Sequence, residues 1–353
     1  MKIALVIDFL TQRGGAEWTL QIIHSMFPEA PIYTLYYDPE QTLPYFRNVK
    51  VVTSAIVSKF PFLKKHWRKY LPIYPFAIEK FDFSKYDLVI SVSFLFAKSI
   101  IVPDKTRHIC YCLTPMRQAW NPSQMEYRFI TQFIWWILRV WDIKTADRPT
   151  KYIAISNTVA ERIKRIYKLQ ANVVYPPVDT DFFRPVNTGL SRQDFFLVVS
   201  RLVPYKRVDI VIKAFNEINQ NLNIVGTGRE QKRLKRLAKK NIEFLGEVSK
   251  EELLYLYNSC TAVICPQEED FGIVAAEAQS CGKPVITFRK GGVSEIVIDG
   301  KTGIFFEEQS PGSLIQAIKK FESVKFDTKE ISEFARERFN IYRFKKKLLE
   351  ELK

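Results

Sequence analysis

The sequence is poor in histidine and cysteine, the side chains from which many metal sites are built. None of the three histidines, His24, His66 and His108, has a second His or Cys at ligand spacing, so we expect structural roles for all three. The five cysteines lie mostly in apolar runs. An odd number of buried thiols favours reduced cysteines and a cytoplasmic setting, with no metal site.

Long apolar runs are also missing. The nearest approach to a membrane span, Phe129–Trp141, is too short and contains Gln132 and Arg139, so we expect a helix at a domain face. The opening residues, MKIALVIDFL, have a strand pattern. They lack the long apolar region and cleavage site of a signal peptide, which is therefore not expected.

Acidic residues are outnumbered, and the formal net charge is +15. Residues 1–180 hold 24 Lys/Arg and 14 Asp/Glu, an excess of ten cations. Such a surplus favours an anionic partner, whether nucleic acid, anionic lipid or a diphosphate. No helix-turn-helix, zinc-finger or RNA-binding signature accompanies it, so nucleic acid is not expected.

One stretch, Pro266–Ile286, combines the signals of a parallel-sheet unit. The apolar run Ala262–Cys265 predicts a buried strand that enters it, and a charged turn follows at Gln267–Asp270. The Ala-rich segment Ile273–Ser280 predicts a buried helix, which the next glycine and proline end. Pro284–Thr287 then predicts a second strand, giving the order strand, turn, helix, strand.

Two carboxylates stand at fixed places in this stretch. Glu269 lies before the helix, and Glu277 lies within it, where a charge is costly unless it meets a partner. Free backbone N–H groups at Gly272–Val274 favour an anion such as a phosphate. A diphosphate at the helix start and sugar hydroxyls at the two Glu fit this pattern. A solvated turn with a Glu at a helix edge fits the spacing equally well.

The spacing E-x7-E with Phe-Gly between, followed by a Gly-Pro stop, resembles the donor-binding signature of the retaining nucleotide-sugar glycosyltransferases of family four. The resemblance implies an α/β protein of the GT-B type, with two Rossmann-like domains whose parallel sheets face each other across a cleft. It implies an acceptor-side domain at 1–180 and a nucleotide-sugar-binding domain at 181–334. The tail 335–353 is expected to pack back on the first domain.

A second part of the resemblance is the R-x4-K of SRLVPYK. It implies that Arg201 and Lys206 hold the donor diphosphate, although a loop with two decorating cations has the same sequence. We expect Lys206 to be an exposed loop cation. The implied roles are sugar hydroxyls for Glu269 and ribose hydroxyls for Glu277. With Arg201, Lys206 and Glu269 as the catalytic set, the implied donor-binding residues are Gly14, Gly15, Gly226, Gly246, Val248, Phe271, Gly272, Ile273, Val274 and Glu277.

The segment YC-x-TPMR-x-AW in the first half resembles a subgroup that transfers mannose during surface-polysaccharide assembly. It implies acceptor-side residues Leu113, Thr114 and Arg117, GDP-mannose as the nucleotide-sugar donor, and a saccharide or lipid-linked acceptor. The subgroup usually has His at positions 113 and 94 and Asp at 121. This chain has Leu113, Phe94 and Asn121 there, which leaves a non-catalytic homologue as an alternative.

Two further segments allow more than one interpretation. Asp179-Thr180-Asp181 resembles a metal-binding Asp-x-Asp, but it follows Pro-Pro in the hinge-like segment Tyr175–Pro185. We therefore predict no metal and no cofactor beyond the co-substrate. The aromatic and basic stretch Lys59–Phe81, led by Lys59–Lys69, fits a peripheral contact with an anionic membrane at its inner face. It also fits a helix with one core face, and a basic surface protein that merely keeps this fold remains a third class.

Overall fold

Each half of the chain forms one parallel β-sheet built from short apolar strands separated by helices. The computed structural model describes residues 1–59, 72–120, 129–186 and 194–353. It divides into a first unit, Met1–Tyr175 with Lys345–Lys353, and a second unit, Pro176–Phe344. The division at Tyr175 and Pro176 lies at the start of the Pro- and Asp-rich segment, five residues before the boundary expected after residue 180.

The first unit has seven strands in the order β3-β2-β1-β4-β5-β6-β7. The central strands are the buried ones, because helices cover both faces of a parallel sheet, whereas the outer strands β3 and β7 have no buried residue. The strands are β1 (Ile3–Leu10), β2 (Ile32–Tyr37), β3 (Val51–Thr53), β4 (Leu88–Ser93), β5 (Arg107–Cys112), β6 (Lys151–Ala154) and β7 (Ala171–Val173). The described helices are α1 (Gly15–His24), α2 (Ala55–Lys59), α3 (Tyr74–Glu79), α4 (Arg117–Trp120), α5 (Phe129–Lys144) and α6 (Asn157–Tyr167).

The second unit has six strands in the order β10-β9-β8-β11-β12-β13. They are β8 (Phe195–Val199), β9 (Asn221–Val225), β10 (Ile242–Gly246), β11 (Val263–Cys265), β12 (Val285–Phe288) and β13 (Gly303–Phe306). The helices are α7 (Val208–Ile218), α8 (Gln231–Leu237), α9 (Lys250–Ser259), α10 (Ile273–Ser280), α11 (Pro311–Glu322) and α12 (Thr328–Phe339). A last helix, α13 (Ile341–Leu352), begins in this unit and ends in the first.

The strand order locates the ligand-binding edge of each sheet. In both sheets the order runs outward in one direction from the first strand and then reverses, between β1 and β4 and between β8 and β11. This is the Rossmann arrangement, in which ligands bind beyond the carboxyl ends of the strands at the reversal. The expectation of two Rossmann-like domains with parallel sheets is therefore confirmed.

The structure differs from the local sequence pattern in three places. The run Tyr152–Ser156 predicts the last strand of the first sheet, but β7 pairs along the outer side of β6. The residues Val293–Val297 predict a helix after Gly291 and Gly292, but only the 3-10 turn Gly292–Glu295 forms. The sequence pattern does not single out the four residues of β13. Strands of three or four residues carry too little periodicity to be recognised before their neighbours are known.

The scarce residues behave as expected where they are described. All five cysteines are free and buried. His24 Nδ1 lies 2.7 Å from the hydroxyl of Tyr45, and His108 Nε2 lies 2.8 Å from Ser91 Oγ. His66 lies outside the described residues. Along the described ranges, no helix is both long and apolar enough to cross a bilayer.

Candidate functional site

The loop after β8 is held at the reversal point of the second sheet by its neighbour. Leu202 N donates to Thr227 O at 2.9 Å, so the Arg201 loop and the Gly-Thr-Gly loop after β9 run side by side. Gly226 has φ +119°, and a Cβ there would lie 2.0 Å from Ser200 O. Only glycine permits this approach. Gly228 is restricted in the same way, since a Cβ there would lie 2.3 Å from Leu202 O. The two glycines therefore let the loops approach closely and keep Arg201 beyond the carboxyl ends of the strands.

Lys206 makes an ion pair with Glu269, which lies in the turn after β11, the strand that pairs with β8 across the reversal. Its Nζ contacts Glu269 Oε1, and the two side chains are 13% and 16% exposed. Gln267 Nε2 donates to the same carboxylate oxygen at 2.7 Å. The expectation that Lys206 is an exposed loop cation is wrong. The sheet order brings the two residues together although 63 positions separate them in sequence.

Arg201 joins this pair through Tyr205. Its Nη2 lies 2.9 Å from the Tyr205 hydroxyl, and Lys206 Nζ lies 5.3 Å from the centre of the same ring. Two cations and one carboxylate thus meet at the carboxyl edge, with Arg201 itself exposed. Such a cluster can bind the charge of a diphosphate.

The backbone of the acidic turn is fixed by a pair of glycines from another loop. Gly292 N donates to Glu269 O at 2.7 Å, and Glu269 and Gly291 form a parallel bridge. Gln309 Nε2 donates to Pro266 O at 2.8 Å and holds the other end of the turn. The Glu269 carboxylate is therefore attached to a rigid turn, as a substrate-positioning group requires.

Helix α10 begins beside this turn and ends where the sequence predicted. Its first turn, Ile273 and Val274, follows Gly272, whose φ is +108°. A Cβ on Gly272 would lie 2.2 Å from Val293 Cγ2, so glycine is required both by conformation and by space. The ring of Phe271 packs edge-on against Phe339 at 5.4 Å. The N–H groups of such a first turn have no acceptor within the helix and can bind an anion.

Glu277, inside α10, has a hydrogen-bond partner, as a carboxyl group away from water requires. The Tyr257 hydroxyl donates to Glu277 Oε2 at 3.0 Å. Burial raises the pKa of Glu277 to about 7, and the hydrogen bond from Tyr257 and the charge of Lys250 act in the opposite direction. The carboxyl group therefore changes charge near neutral pH.

The remaining donor-side residues of the second unit lie at the end of β10. Gly246 O accepts from Gly226 N at 2.6 Å, so this strand end touches the Gly-Thr-Gly loop. Val248 follows it and is half-buried. Ser249 then caps α9 in a reciprocal bond with Glu252. The residues predicted for donor binding in the second unit thus gather at one edge of one sheet.

In the first unit, the predicted residues follow β1 and β5, the two strands that flank β4. Gly14 and Gly15 begin α1 after β1. Leu113 follows β5, and its N–H donates to Ser93 O at 2.8 Å. Thr114 is buried and accepts a hydrogen bond from Arg162 Nη1 at 2.7 Å. Arg117 begins α4, while its side chain, like the whole of Asn121, lies outside the described part of the chain.

A buried acid that the sequence analysis missed fixes the loop that carries Phe94. The carboxylate of Asp8, in β1, accepts four backbone N–H bonds, from Phe94, Leu95, Phe96 and Ala97, each 3.0 Å or shorter. Burial raises the pKa of Asp8, and these donors oppose the rise. A single acid in the apolar strand IALVIDFL was the available signal.

A second buried acid, Asp142, supports the TPMRQAW segment. Its carboxylate pairs with Lys98 Nζ at 3.1 Å, and the two side chains are 0% and 2% exposed. Trp120 Nε1 donates to the other oxygen at 2.7 Å, and the Tyr167 hydroxyl donates at 2.9 Å. A fully bonded buried pair of this kind fixes the helices that contribute to it.

Comparison with known proteins agrees with this geometry in the second unit. Residues 179–338 match the family described as glycosyl transferases group 1. Those residues contain Arg201, Lys206, Glu269 and Glu277. The chain is 35% identical over 173 residues to an uncharacterized glycosyltransferase of Methanocaldococcus jannaschii, which covers 48% of each protein. It is 32% identical over 195 residues to D-inositol 3-phosphate glycosyltransferase of Frankia alni, covering 47% of this chain and 46% of that one.

Each of these alignments thus spans about half the length of the curated relatives. Solved structures match the whole chain at lower identity. Sucrose-phosphate synthase from Thermosynechococcus elongatus has a TM-score of 0.77 at 18% identity, covering 100% of this chain and 99% of that one. Anabaena HepE, solved in complex with UDP and glucose, has a TM-score of 0.73 at 19% identity with the same coverage. These likenesses show the GT-B type of fold.

Proposed function

We propose that the protein is a glycosyltransferase that moves a sugar from a nucleotide diphosphate donor to a hydroxyl of a saccharide or lipid-linked acceptor. The observation that carries the proposal is the cluster of Arg201, Lys206 and Glu269 at the reversal point of the sheet. It lies in the unit that matches the glycosyl transferases group 1 family. Cations at that edge meet a diphosphate where the Rossmann arrangement binds ligands.

The reaction requires charge stabilisation more than a strong base. As the sugar–phosphate bond breaks, the sugar becomes oxocarbenium-like and the diphosphate gathers negative charge. Arg201, Lys206 and the first N–H groups of α10 would stabilise that charge. When the donor binds, Lys206 would contact both Glu269 and the diphosphate, and Glu269 would bind sugar hydroxyls. Glu277 would bind the ribose hydroxyls.

The finer assignments rest on two resemblances in the sequence. Retention of configuration is proposed on the E-x7-E spacing of Glu269 and Glu277, and GDP-mannose as donor is proposed on the TPMR-x-AW segment. Among the structural neighbours, Anabaena HepE is described with UDP and glucose, so UDP-glucose is the competing donor. The test is a thermal-shift screen of both compounds with GDP and UDP, since a ligand at 100 times its Kd stabilises by about 2.7 kcal/mol. Stabilisation by neither donor would contradict the proposal.

We also propose that transfer needs neither a metal nor a further cofactor. Asp179, the first acid of the Asp-Thr-Asp segment, is bonded to Lys250 at 2.6 Å, which favours the hinge interpretation over a metal ligand. Transfer should therefore proceed at the same rate in EDTA as with Mg²⁺ or Mn²⁺. A rate restored only by added metal would reverse this assignment.

A peripheral contact with an anionic membrane at the cytoplasmic face completes the proposal. The stretch Lys59–Lys69 lies mostly outside the described residues, but α5 adds an exposed apolar stripe. Phe133 and Trp136, 65% and 57% exposed, stack with ring centres 6.0 Å apart, and Lys144 follows at the end of the helix. Exposed aromatic rings on a helix that ends in a cation suit a lipid interface.

Flotation with anionic liposomes tests this contact. Phe133→Ser with Trp136→Ser should reduce the floated fraction at low salt, and high salt should weaken binding of the native protein. Ile298→Ser, at an exposed apolar residue of the second unit, is the matched control. Equal flotation of the double variant and the native protein would remove α5 from the proposal.

The alternative is a non-catalytic homologue that binds a nucleotide sugar or a partner. It is favoured by Leu113, Phe94 and Asn121 at positions where the resembled subgroup has His, His and Asp. The two functions are separated by incubating the purified protein with donor in the presence and absence of acceptors. Donor binding without hydrolysis or transfer would support the alternative.

A further inference from the structure

Tyr257 is a buried residue of α9 to which neither the sequence nor the comparisons assign a role. Its side chain is fully buried, and its hydroxyl donates to Glu277 Oε2 at 3.0 Å. A carboxylate has two oxygens and about four acceptor positions. The bond to Tyr257 therefore restricts rotation of the carboxylate while leaving Oε1 and the second acceptor position of Oε2 for a ligand.

The ring of Tyr257 also reaches the Pro- and Asp-rich segment at the start of the second unit. Phe183, itself buried, packs edge-on against it with ring centres 5.6 Å apart. Lys250, one end of the same helix, bonds Asp179 at 2.6 Å and lies 4.0 Å from the centre of the Phe182 ring. Helix α9 is thus the common support of Asp179–Phe183 and of Glu277.

The groups that face Glu277 are few and come from three elements. Tyr257 and Lys250 belong to α9, Asp179 to the segment before β8, and Cys281 to the end of α10. Burial is the largest cause of the raised pKa of Glu277, and the Tyr257 hydroxyl is the first of the groups that oppose it. Loss of that hydroxyl would therefore favour the protonated acid, which is a poorer hydrogen-bond acceptor.

We propose that Tyr257 is a positioning residue whose hydroxyl orients the Glu277 carboxylate to accept both hydroxyls of a vicinal diol, the ribose of a nucleoside diphosphate. The inference rests on the proposed function for the role of Glu277 and adds how that carboxylate is aimed. It predicts that selectivity for the diol depends on the Tyr257 hydroxyl and on an ionised Glu277.

The test compares GDP with 2′,3′-dideoxy-GDP by calorimetry on the full chain, with UDP and its dideoxy form as the second pair. Tyr257→Phe keeps the ring that packs on Phe183, so the fold should survive. We expect it to weaken GDP binding about tenfold and leave the dideoxy compound unchanged. Tyr255→Phe, two residues earlier on the same helix, is the matched control and should change the affinity for neither GDP nor the dideoxy compound. Glu277→Gln should also reduce the preference for the diol.

A pH series on the native protein gives a second measurement that needs no variant. Because the pKa of Glu277 is raised to about 7, preference for the diol should be full above pH 8 and lost below about pH 6. In Tyr257→Phe the midpoint should move to higher pH, since a contact that stabilises the charged form is gone. A purely structural role for Tyr257 would weaken both nucleotides equally and leave this midpoint in place.

The outcomes separate the inference from the function on which it rests. Loss of diol preference in both Glu277→Gln and Tyr257→Phe supports the inference. Loss in Glu277→Gln alone overturns it and leaves the proposed role of Glu277 standing. Unchanged preference in Glu277→Gln overturns both. Preference that stays constant from pH 5.5 to 8.5 in the native protein also overturns the inference.

Discussion

Replacing Lys206 by alanine tests the site most directly, because the residue has two separable effects. Its ammonium group pairs with Glu269 in the described structure and would bind the diphosphate during transfer. A change that removes it should therefore reduce both stability and rate. The loss of stability should be smaller than the loss of rate. A second substitution at Glu269 should partly reverse the loss of stability but not the loss of rate.

The stability loss follows from the burial of the pair. Removing one member of a fully buried pair costs about 3–5 kcal/mol, and exposed pairs contribute about 0–1 kcal/mol. Lys206 and Glu269 are 13% and 16% exposed, and Glu269 keeps its bond from Gln267. We therefore expect about 2 kcal/mol, or a fall in Tm of about 4–8 °C at about 2–4 °C per kcal/mol for a unit of this size.

The loss of transfer rate should be larger, in free energy, than the loss of stability, and it should not result from unfolding. Removing one preorganised donor to a developing charge costs about 10²–10³-fold in kcat. A protein of ordinary stability, about 5–15 kcal/mol, remains folded at 25 °C after losing about 2 kcal/mol. Transfer measured at 25 °C therefore reports the chemistry, and thermal denaturation reports the ion pair.

Two further variants make the result decisive. Lys213→Ala removes an exposed cation from the following helix and should change neither quantity. Adding Glu269→Gln to Lys206→Ala should restore part of the Tm, because no unpaired carboxylate remains, but it should not restore the rate. Transfer by Lys206→Ala within threefold of the native rate would refute the role of Lys206 in charge stabilisation. An unchanged Tm would refute the energetic argument for the pair.

Three other changes have defined outcomes. Leu113→His should raise transfer turnover, by up to about 10²-fold, because under the proposed function it would place a hydrogen-bonding group beside the transferred sugar; a fall in turnover would mean that the pocket has adapted to an apolar contact. Gly272→Ala should lower Tm and weaken donor binding, because its Cβ would lie 2.2 Å from Val293 Cγ2; an unchanged Tm would contradict the required close approach. Lys98→Met should destabilise the protein by about 3 kcal/mol in denaturant titration, since it leaves the buried Asp142 carboxylate without its cation; a loss below about 1 kcal/mol would contradict this.

The sequence by itself determined the strand–turn–helix–strand segment from β11 to β12 in the second sheet. Ile273–Ser280 was predicted as a helix and is observed over the same residues. The segment is apolar and alanine-rich, begins after a glycine and is followed by glycine and proline, so every local preference agrees. The strand before it and the strand after it were predicted within one residue at each end for the same reason.

The tertiary structure decided which side chains meet. No local pattern pairs Lys206 with Glu269, since they are brought together by the adjacency of β8 and β11. No local pattern pairs Tyr257 with Glu277 either, since the two residues lie on different helices and only the tertiary structure brings the hydroxyl to the carboxylate. Propensity and periodicity depend on a few neighbouring residues, whereas the strand order depends on the whole chain. The burial of Lys206 follows from the strand order, because the pairing of β8 with β11 brings Glu269 against it.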